Sequence, residues 1–473
     1  MRPPNIVRTL IGLLGLLLVG GVRAAALDAP SVVQAGAPQG PYVACAGPLS
    51  FQAAPGSPVA VGSHPQSVAT ADFNGDGRLD LATANGWADS VTVLLGTGMG
   101  GFSPAPGSPF AVGGGPISLA AADFNGDGHP DLAILNLYDY TVTVVLGTGS
   151  GAFTAAPGSP FALGGSPQSV VAADFNGDGF LDLAFGNYEN RVTVLLGTGT
   201  GGFSPAPGSP FAVGSRPILV AAVDFNGDGR LDLATANQGD NTVTVLLGTA
   251  RGGFSPAPGS PFGVSGSPRD VAAADFNGDG YPDLALPTRP NPYSTNVTVL
   301  LGDGLGGLSP APGSPFAVGD SMFAVAVADF NGDNHPDLAV TDVTYYSTAV
   351  VLLGDGGGGF SAATSHSVGR SPYSLVTADF NGDGQWDLAT ASYEDSNVTV
   401  LLNSCTAVTA TPTATGTLTP ATGTPTRTPP PSGTATGTAV VATPTGTPTP
   451  PGTGTLTAVA GTPTGTPTPP GTG

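Results

Sequence analysis

Carboxylates at short, fixed spacing are the residues in this sequence best placed to do chemistry. The pentapeptide Asp-Phe-Asn-Gly-Asp occurs seven times, and each copy opens a nine-residue pattern with aspartate at positions 1, 5 and 9 and asparagine at position 3. The first copy is Asp72, Asn74, Asp76 and Asp80, with Arg78 at position 7. In the same order of position the second is Asp123, Asn125, Asp127, His129 and Asp131, and the third is Asp174, Asn176, Asp178, Phe180 and Asp182. The fourth is Asp224, Asn226, Asp228, Arg230 and Asp232, and the fifth Asp275, Asn277, Asp279, Tyr281 and Asp283. The sixth is Asp329, Asn331, Asp333, His335 and Asp337, and the seventh Asp379, Asn381, Asp383, Gln385 and Asp387. Alternate side chains of a tight loop converge, and glycine at position 6 permits the positive φ that such a loop needs. Hard oxygens from positions 1, 3, 5 and 9, completed by the backbone carbonyl of position 7, suit Ca2+, whereas Mg2+ demands stricter octahedral geometry. Up to seven Ca2+ ions are therefore expected. The pattern is not an EF-hand, which needs glutamate at position 12, where the first copy has Thr83. A metal-free Asx turn is the alternative for any single copy. Seven copies, each with the ninth-position aspartate, argue against it, because converging carboxylates repel one another without a cation. In the sixth copy Asn334 replaces the glycine; asparagine tolerates the left-handed region, and this site is expected to be the weakest. Phe73 and its counterparts at position 2 are expected to pack between repeats rather than to bind anything.

The elements that position these loops can be read from their spacing. The copies start 51, 51, 50, 51, 54 and 50 residues apart, a period that indicates a propeller or an array. One unit holds four strand-like pieces: Ser67 to Phe73, Asp80 to Asn85, Val91 to Leu95, and Phe102 to Val112 after a Gly-rich turn. The last is proline-rich, and proline lacks a ladder donor, so it belongs at the outer edge of a four-stranded blade. The first three pieces occur seven times. The outer piece also occurs seven times, but its first copy, at Phe51, precedes every other strand, and no outer piece comes after the last triplet, which ends at Leu402. The N-terminal piece is therefore expected to complete the last blade and close a seven-bladed, all-β propeller over residues 45–405. Cys45 and Cys405, the protein's two cysteines, bracket that closure and are expected to form a disulfide in place of the turn that is cut there.

Composition bounds the partners. The chain has 473 residues, 33 acidic residues against 12 arginines, no lysine, and a formal charge of −21. The seven loops hold 21 of the acidic residues, and the remaining 12 balance the arginines, so the excess is local to the loops. Nucleic acid and anionic lipid both reward basic surface, so an acidic, lysine-free chain is a poor candidate for binding either, and no nucleic-acid partner is expected. Residues 1–26 read as a secretory signal, with Arg2 and Arg8, an apolar run from Leu10 to Val22 and an Ala-rich cleavage site. That run falls short of the ~20 residues of a membrane span, so no membrane insertion is expected. Residues 27–44 read as a linker, and residues 406–473, rich in Thr, Pro and Gly, as a disordered tail.

The acidic loop, the Gly-Gly-Phe before the outer strand and the blade length resemble FG-GAP or VCBS repeats, which occur in bacterial secreted and surface proteins and in the integrin α-subunit head. The resemblance covers residues 51–402 and implies a seven-bladed propeller with Ca2+ loops on its lower face. It leaves function open, since such propellers serve as adhesins, lectins and lyases. The loops of the opposite face vary from blade to blade and carry Trp87, Tyr138, Tyr140, Tyr188, Tyr293, Tyr345, Tyr346 and Tyr393 beside Asp and Asn, with His64, Arg216, Arg269, Phe323 and Tyr373 in the turns between blades. Flat apolar rings with polar edges suit a sugar or a protein patch, although variable loops also carry such residues simply to cover blade ends. No G-x-S-x-G or H-E-x-x-H occurs, and His64 and His366 have no evident carboxylate or nucleophile partner in sequence. The expectation is a secreted or cell-surface, monomeric, Ca2+-binding propeller that serves extracellular binding or adhesion to a protein or glycan. The alternative is a polysaccharide-active enzyme, a lyase or hydrolase, on the same scaffold.

Overall fold

In the computed structural model the described residues are 45, 48–291, 294–344 and 347–405, and every element longer than a single bridge among them is a β-strand. Residues 1–44 and 406–473, on which the expected signal, linker and tail fall, lie outside them, as do Tyr293, Tyr345 and Tyr346. No helix among the described residues is long and apolar enough to cross a membrane.

The strands form seven separate antiparallel sheets. In blade one the inner strand is Pro65–Ala71, followed by Asp80–Asn85 and Ser90–Gly96. The second strand is buried along its whole length, which its small and apolar sequence DLATAN permits. The inner strands of adjacent blades pack on one another around the axis. They are tied by hydrogen bonds such as Val68 N to Ser374 Oγ (3.2 Å) and Val170 N to Ser118 Oγ (3.3 Å). Val, Leu and Ala side chains of neighbouring blades fill the space between sheets. One such cluster joins Val68, Leu81 and Leu94 to Ala389, Val398 and Val400. Each buried Val or Leu contributes roughly 1.5–3 kcal/mol relative to exposure.

The expected closure is present. Phe51–Ala53 pairs antiparallel with Asn397–Asn403, the third strand of blade seven, with Phe51 opposite Asn403. Ser404 N donates to Ser50 O at 2.8 Å beside that junction. Cys45 and Cys405 are disulfide-bonded, their Cα atoms 5.4 Å apart.

The outer strand departs from expectation. In six blades it is two short pieces, as in Phe102–Pro104 and Phe110–Ala111, with a proline turn between them. Only blade six, whose FSAATSHS lacks the Pro-Gly-Ser-Pro sequence, has one continuous outer strand, Phe360–Ser367. The reason is donor accounting: where proline interrupts the ladder, Ser108 Oγ accepts Val93 N at 2.7 Å, and Ser57, Ser159, Ser209, Ser260 and Ser314 do the same in the other five blades.

Each inner strand is irregular near its first residue. The register shifts between Pro65 and Ser67, Pro116 and Ser118, Pro167 and Ser169, Pro217 and Leu219, Met322 and Val325, and Pro372 and Ser374. In blade five the strand is interrupted outright between Ser267–Pro268 and Ala272–Ala274. A bulge leaves one residue out of the ladder and re-aims its side chain. These positions hold Gln66, Ile117, Gln168, Ile218, Arg269, Phe323 and Tyr373, all at the end of the propeller opposite the acidic loops.

Candidate functional site

The acidic loops join the first and second strands of every blade and are nearly identical in geometry. In the first, Asp72 Oδ1 accepts the amides of Gly75 (2.7 Å) and Asp76 (3.1 Å), and Oδ2 accepts that of Gly77 (2.7 Å). Asn74 Oδ1 accepts Asp76 N at 3.0 Å, and Asp76 Oδ1 accepts Arg78 N at 2.9 Å. Asp80 is fully buried; its Oδ2 accepts Phe73 N at 2.9 Å and its Oδ1 accepts Gly96 N at 2.8 Å. The ninth-position aspartate thus ties the loop to the third strand, and a Cβ at Gly96 would collide with the carbonyl oxygen of Leu79. In the sixth loop Asn334 takes φ 66° and donates to Asp329 Oδ2 at 2.8 Å, the role that glycine has elsewhere.

The electrostatics of the loops are unfavourable by themselves. Burial, with the nearby charges at positions 1 and 5 adding to it, pushes Asp80, Asp131, Asp182 and Asp283 up to about 6 against the opposing pull of their amide hydrogen bonds. The same causes bring Asp232 and Asp337 to about 7 and Asp387 to about 8. Asp329 is also raised, chiefly by burial. The donor set, three carboxylates and a carboxamide oxygen per loop, is that of a hard divalent cation, and a cation is the group that would relieve this repulsion. The side chains at positions 1 and 5 are turned onto loop amides, and among the described residues no three acidic, His or Cys groups close on one point. Holding an ion requires those side chains to exchange amide hydrogen bonds for it.

Each loop also grips the next blade. Phe73 is buried against Phe153 of blade two, ring centroids 5.6 Å apart, and Phe73 O accepts Gly151 N from the turn before that blade's outer strand at 2.9 Å. Phe124 with Phe203, Phe175 with Phe254, Phe276 with Phe360, Phe330 with Phe51 and Phe380 with Phe102 repeat the ring contact. Position 2 is therefore an inter-blade packing residue, as its sequence context implied.

On the opposite face a row of rings crosses three blades. Trp87 stacks on His64 (4.3 Å), His64 meets the edge of Tyr393 (4.5 Å), Tyr393 stacks on Tyr373 (4.8 Å), and Tyr373 stacks on Phe323 (4.7 Å). Trp87 is 52% exposed, whereas Tyr393, Tyr373 and Phe323 form a buried cluster. Burial lowers the His64 pKa, partly opposed by Glu394, and raises that of Tyr393, which Trp87 hydrogen-bonds. On blade three, Tyr188 accepts from Arg216 Nη2 at 3.2 Å, with the guanidinium carbon 5.2 Å from its ring centroid.

The FG-GAP-like repeat family matches residues 72–134, 128–185, 174–235 and 224–286. Four FG-GAP-like repeats thus lie within the seven-bladed propeller. The propeller is similar in fold to the structure of BBS1N in complex with ARL6DN, at TM-score 0.51 and 14% identity over 74% of this chain and 96% of that one. It is likewise similar to a putative 6-phosphogluconolactonase from Bacteroides uniformis, at TM-score 0.51 and 15% identity over 67% of this chain and 89% of that one. At such identities the likeness shows the fold alone. No curated protein matches the sequence.

Of the aromatic residues expected to present a ligand face, the propeller exposes Trp87 and Tyr140 (53%) and half-buries Tyr138 and Tyr188. Tyr393 is a correction: it is a buried member of the row, packed between the rings of Tyr373 and His64. His64, Tyr373 and Phe323, separated widely in sequence, are brought together, while Tyr140 stands outside the row. Sequence reasoning missed Arg289, which lies in the extended second strand of blade five, Asp283–Asn291. The local signal was the Arg-Pro-Asn-Pro insertion that makes this the longest spacing between repeats.

Proposed function

We propose that this FG-GAP propeller is a secreted, Ca2+-binding extracellular binding module whose ligand engages the variable face. The observation that supports the reading most is the division of labour between the two ends of the ring. One end repeats the same acidic loop in every blade and ties each blade to the next, a structural task. The other gathers non-equivalent aromatic and charged side chains from different blades into one surface, with Trp87 and Tyr140 exposed. The aspartates at positions 1, 5 and 9, with the position 3 asparagine, would hold Ca2+, which supplies charge neutralisation and loop rigidity. The Cys45–Cys405 bond is compatible with an oxidising, extracellular location. The test is capture from immobilised glycan and extracellular-protein panels in Ca2+-containing buffer. Trp87→Ala combined with Tyr140→Ala should abolish capture with the thermal midpoint unchanged. Capture that survives the double variant would place the ligand elsewhere.

A further inference from the structure

The ring is closed beside one particular acidic loop, the sixth, residues 329–337. Elsewhere a loop is held by the Gly-rich turn of the next blade, as where Gly151 N donates to Phe73 O. Blade seven has no such turn, because its outer strand, Phe51–Ala53, precedes all the others in sequence. Asn403 takes over the contact. It stands where blade one has Gly96: the N–H of Gly96 donates to Asp80 Oδ1, and that of Asn403 donates to Asp387 Oδ1, both at 2.8 Å. The Asn403 side chain is buried, and its Nδ2 donates to Phe330 O of loop six at 2.9 Å. Its Oδ1 accepts Cys405 N at 3.1 Å.

Cys45 reaches the same loop directly, its N–H donating to Asn331 O at 2.9 Å. Both halves of the disulfide therefore bear on loop six, Cys45 by its own amide and Cys405 through Asn403. The two carbonyls they hold belong to positions 2 and 3, and position 3 supplies the carboxamide oxygen of the donor set. Among the described residues no other loop has a backbone amide bonded to its position 3 carbonyl. The Phe51 ring adds to the contact, edge-on to Phe330 at 5.8 Å. Loop six is also the copy with Asn334 at position 6, at φ 66°, where the other loops have glycine. The loop least favoured by its own sequence is thus the one held by the closure of the ring.

We propose that the Cys45–Cys405 bond controls the cation site of loop six, which takes up a divalent cation at least tenfold more tightly when the bond is formed than when it is reduced. This rests on the Ca2+ part of the reading above and adds a redox dependence to one site of the set. A loop whose backbone is fixed beforehand loses less conformational freedom on taking up an ion, so releasing it appears as lost affinity. Reduction by a dithiol delivers two electrons and two protons to the Sγ–Sγ bond; two thiols form, and the dithiol leaves as its own disulfide. The contacts from Cys45 and Asn403 then have no covalent tie to keep them in place together. The coupling is reciprocal: whatever factor the bond adds to cation affinity, the bound cation adds to the bond's resistance to reduction.

The test uses the full chain with Ca2+ as the only added divalent cation. Native mass spectrometry and calorimetric titration compare the oxidised protein with the variant Cys45→Ser, Cys405→Ser. One site should weaken tenfold or more and the others should keep their affinity. Asp333→Ala, which takes a carboxylate from loop six, should remove that same site, so that adding the cysteine substitutions changes Ca2+ binding no further. Asp178→Ala in loop three should remove a different site and leave the effect of the cysteine substitutions intact. A second measurement needs no cysteine variant, should the opened ring fold poorly. The ratio of reduced to oxidised dithiothreitol that half-reduces the bond should rise at least tenfold from EDTA to saturating Ca2+; Asp333→Ala should cancel that tenfold and Asp178→Ala should not. Unchanged affinity at every loop, an equal loss at all of them, or a reduction midpoint indifferent to Asp333→Ala would overturn the coupling while leaving Ca2+ binding in place. An oxidised protein that binds no Ca2+ at all would instead defeat the Ca2+ reading, and the coupling with it.

Discussion

At the scale of single residues, the ninth-position aspartate is the most heavily used side chain in the repeat. Asp80 accepts one amide from its own loop and one from the third strand, and does so fully buried. Asp80→Asn preserves shape but turns an NH2 group towards one of those two N–H donors. An unsatisfied buried pair costs roughly 1–3 kcal/mol, so the stability measured by denaturation should fall by that amount; an unchanged midpoint would show that the amides are satisfied otherwise. Histidine sets a separate dependence. His64 and His366 have pKa values lowered from 6.5 by burial, so below that pH the unfolded chain takes up protons that the folded one resists. Their contribution to stability is present above about pH 6.5 and is lost as pH falls through the folded values. Melting curves of His366→Gln should therefore fall less steeply between about pH 7 and 5 than those of the parent, and identical slopes would contradict the assignment. The aspartates and phenylalanines of the loop were legible in sequence because their type and spacing repeat. The two amides held by Asp80 were not, since one of them comes from Gly96, on another strand.

At the scale of elements, the order and number of strands could be read from the repeat, but their interruptions could not. Proline signalled an edge strand correctly. That the strand would break in two, and that a serine hydroxyl would take over the missing ladder bond, depends on the Pro-Gly-Ser-Pro turn folding back on the third strand. Ser108→Ala leaves Val93 N, on a fully buried residue, without its acceptor. Blade one should lose about 1–3 kcal/mol, measurable as faster hydrogen exchange at Val93, and exchange equal to the parent would contradict this role. The inner-strand bulges were equally invisible, because one unpaired residue does not disturb a run of small side chains. They place Arg269, Phe323 and Tyr373 at the end of the ring opposite the acidic loops.

At the scale of the whole molecule, the ring closes twice, once by the strand Phe51–Ala53 and once by the disulfide. The bond spans 360 residues, and loop-closure entropy assigns it roughly 6 kcal/mol. Cys45→Ser with Cys405→Ser should lower the unfolding free energy by an amount approaching that value, and no loss would show that strand pairing alone closes the ring. The charge of −21 belongs to the same scale. It is concentrated in seven loops that also link neighbouring blades through Phe73 and its counterparts, so neutralising the loops should stiffen every inter-blade contact at once. Ca2+ binding therefore carries the account, and native mass spectrometry combined with thermal melts in Ca2+ and in EDTA tests it most directly. The account predicts a Ca2+ stoichiometry approaching seven and a melting temperature that drops substantially on chelation and recovers when Ca2+ is restored. A protein that binds no Ca2+ and melts at the same temperature in both buffers would contradict it.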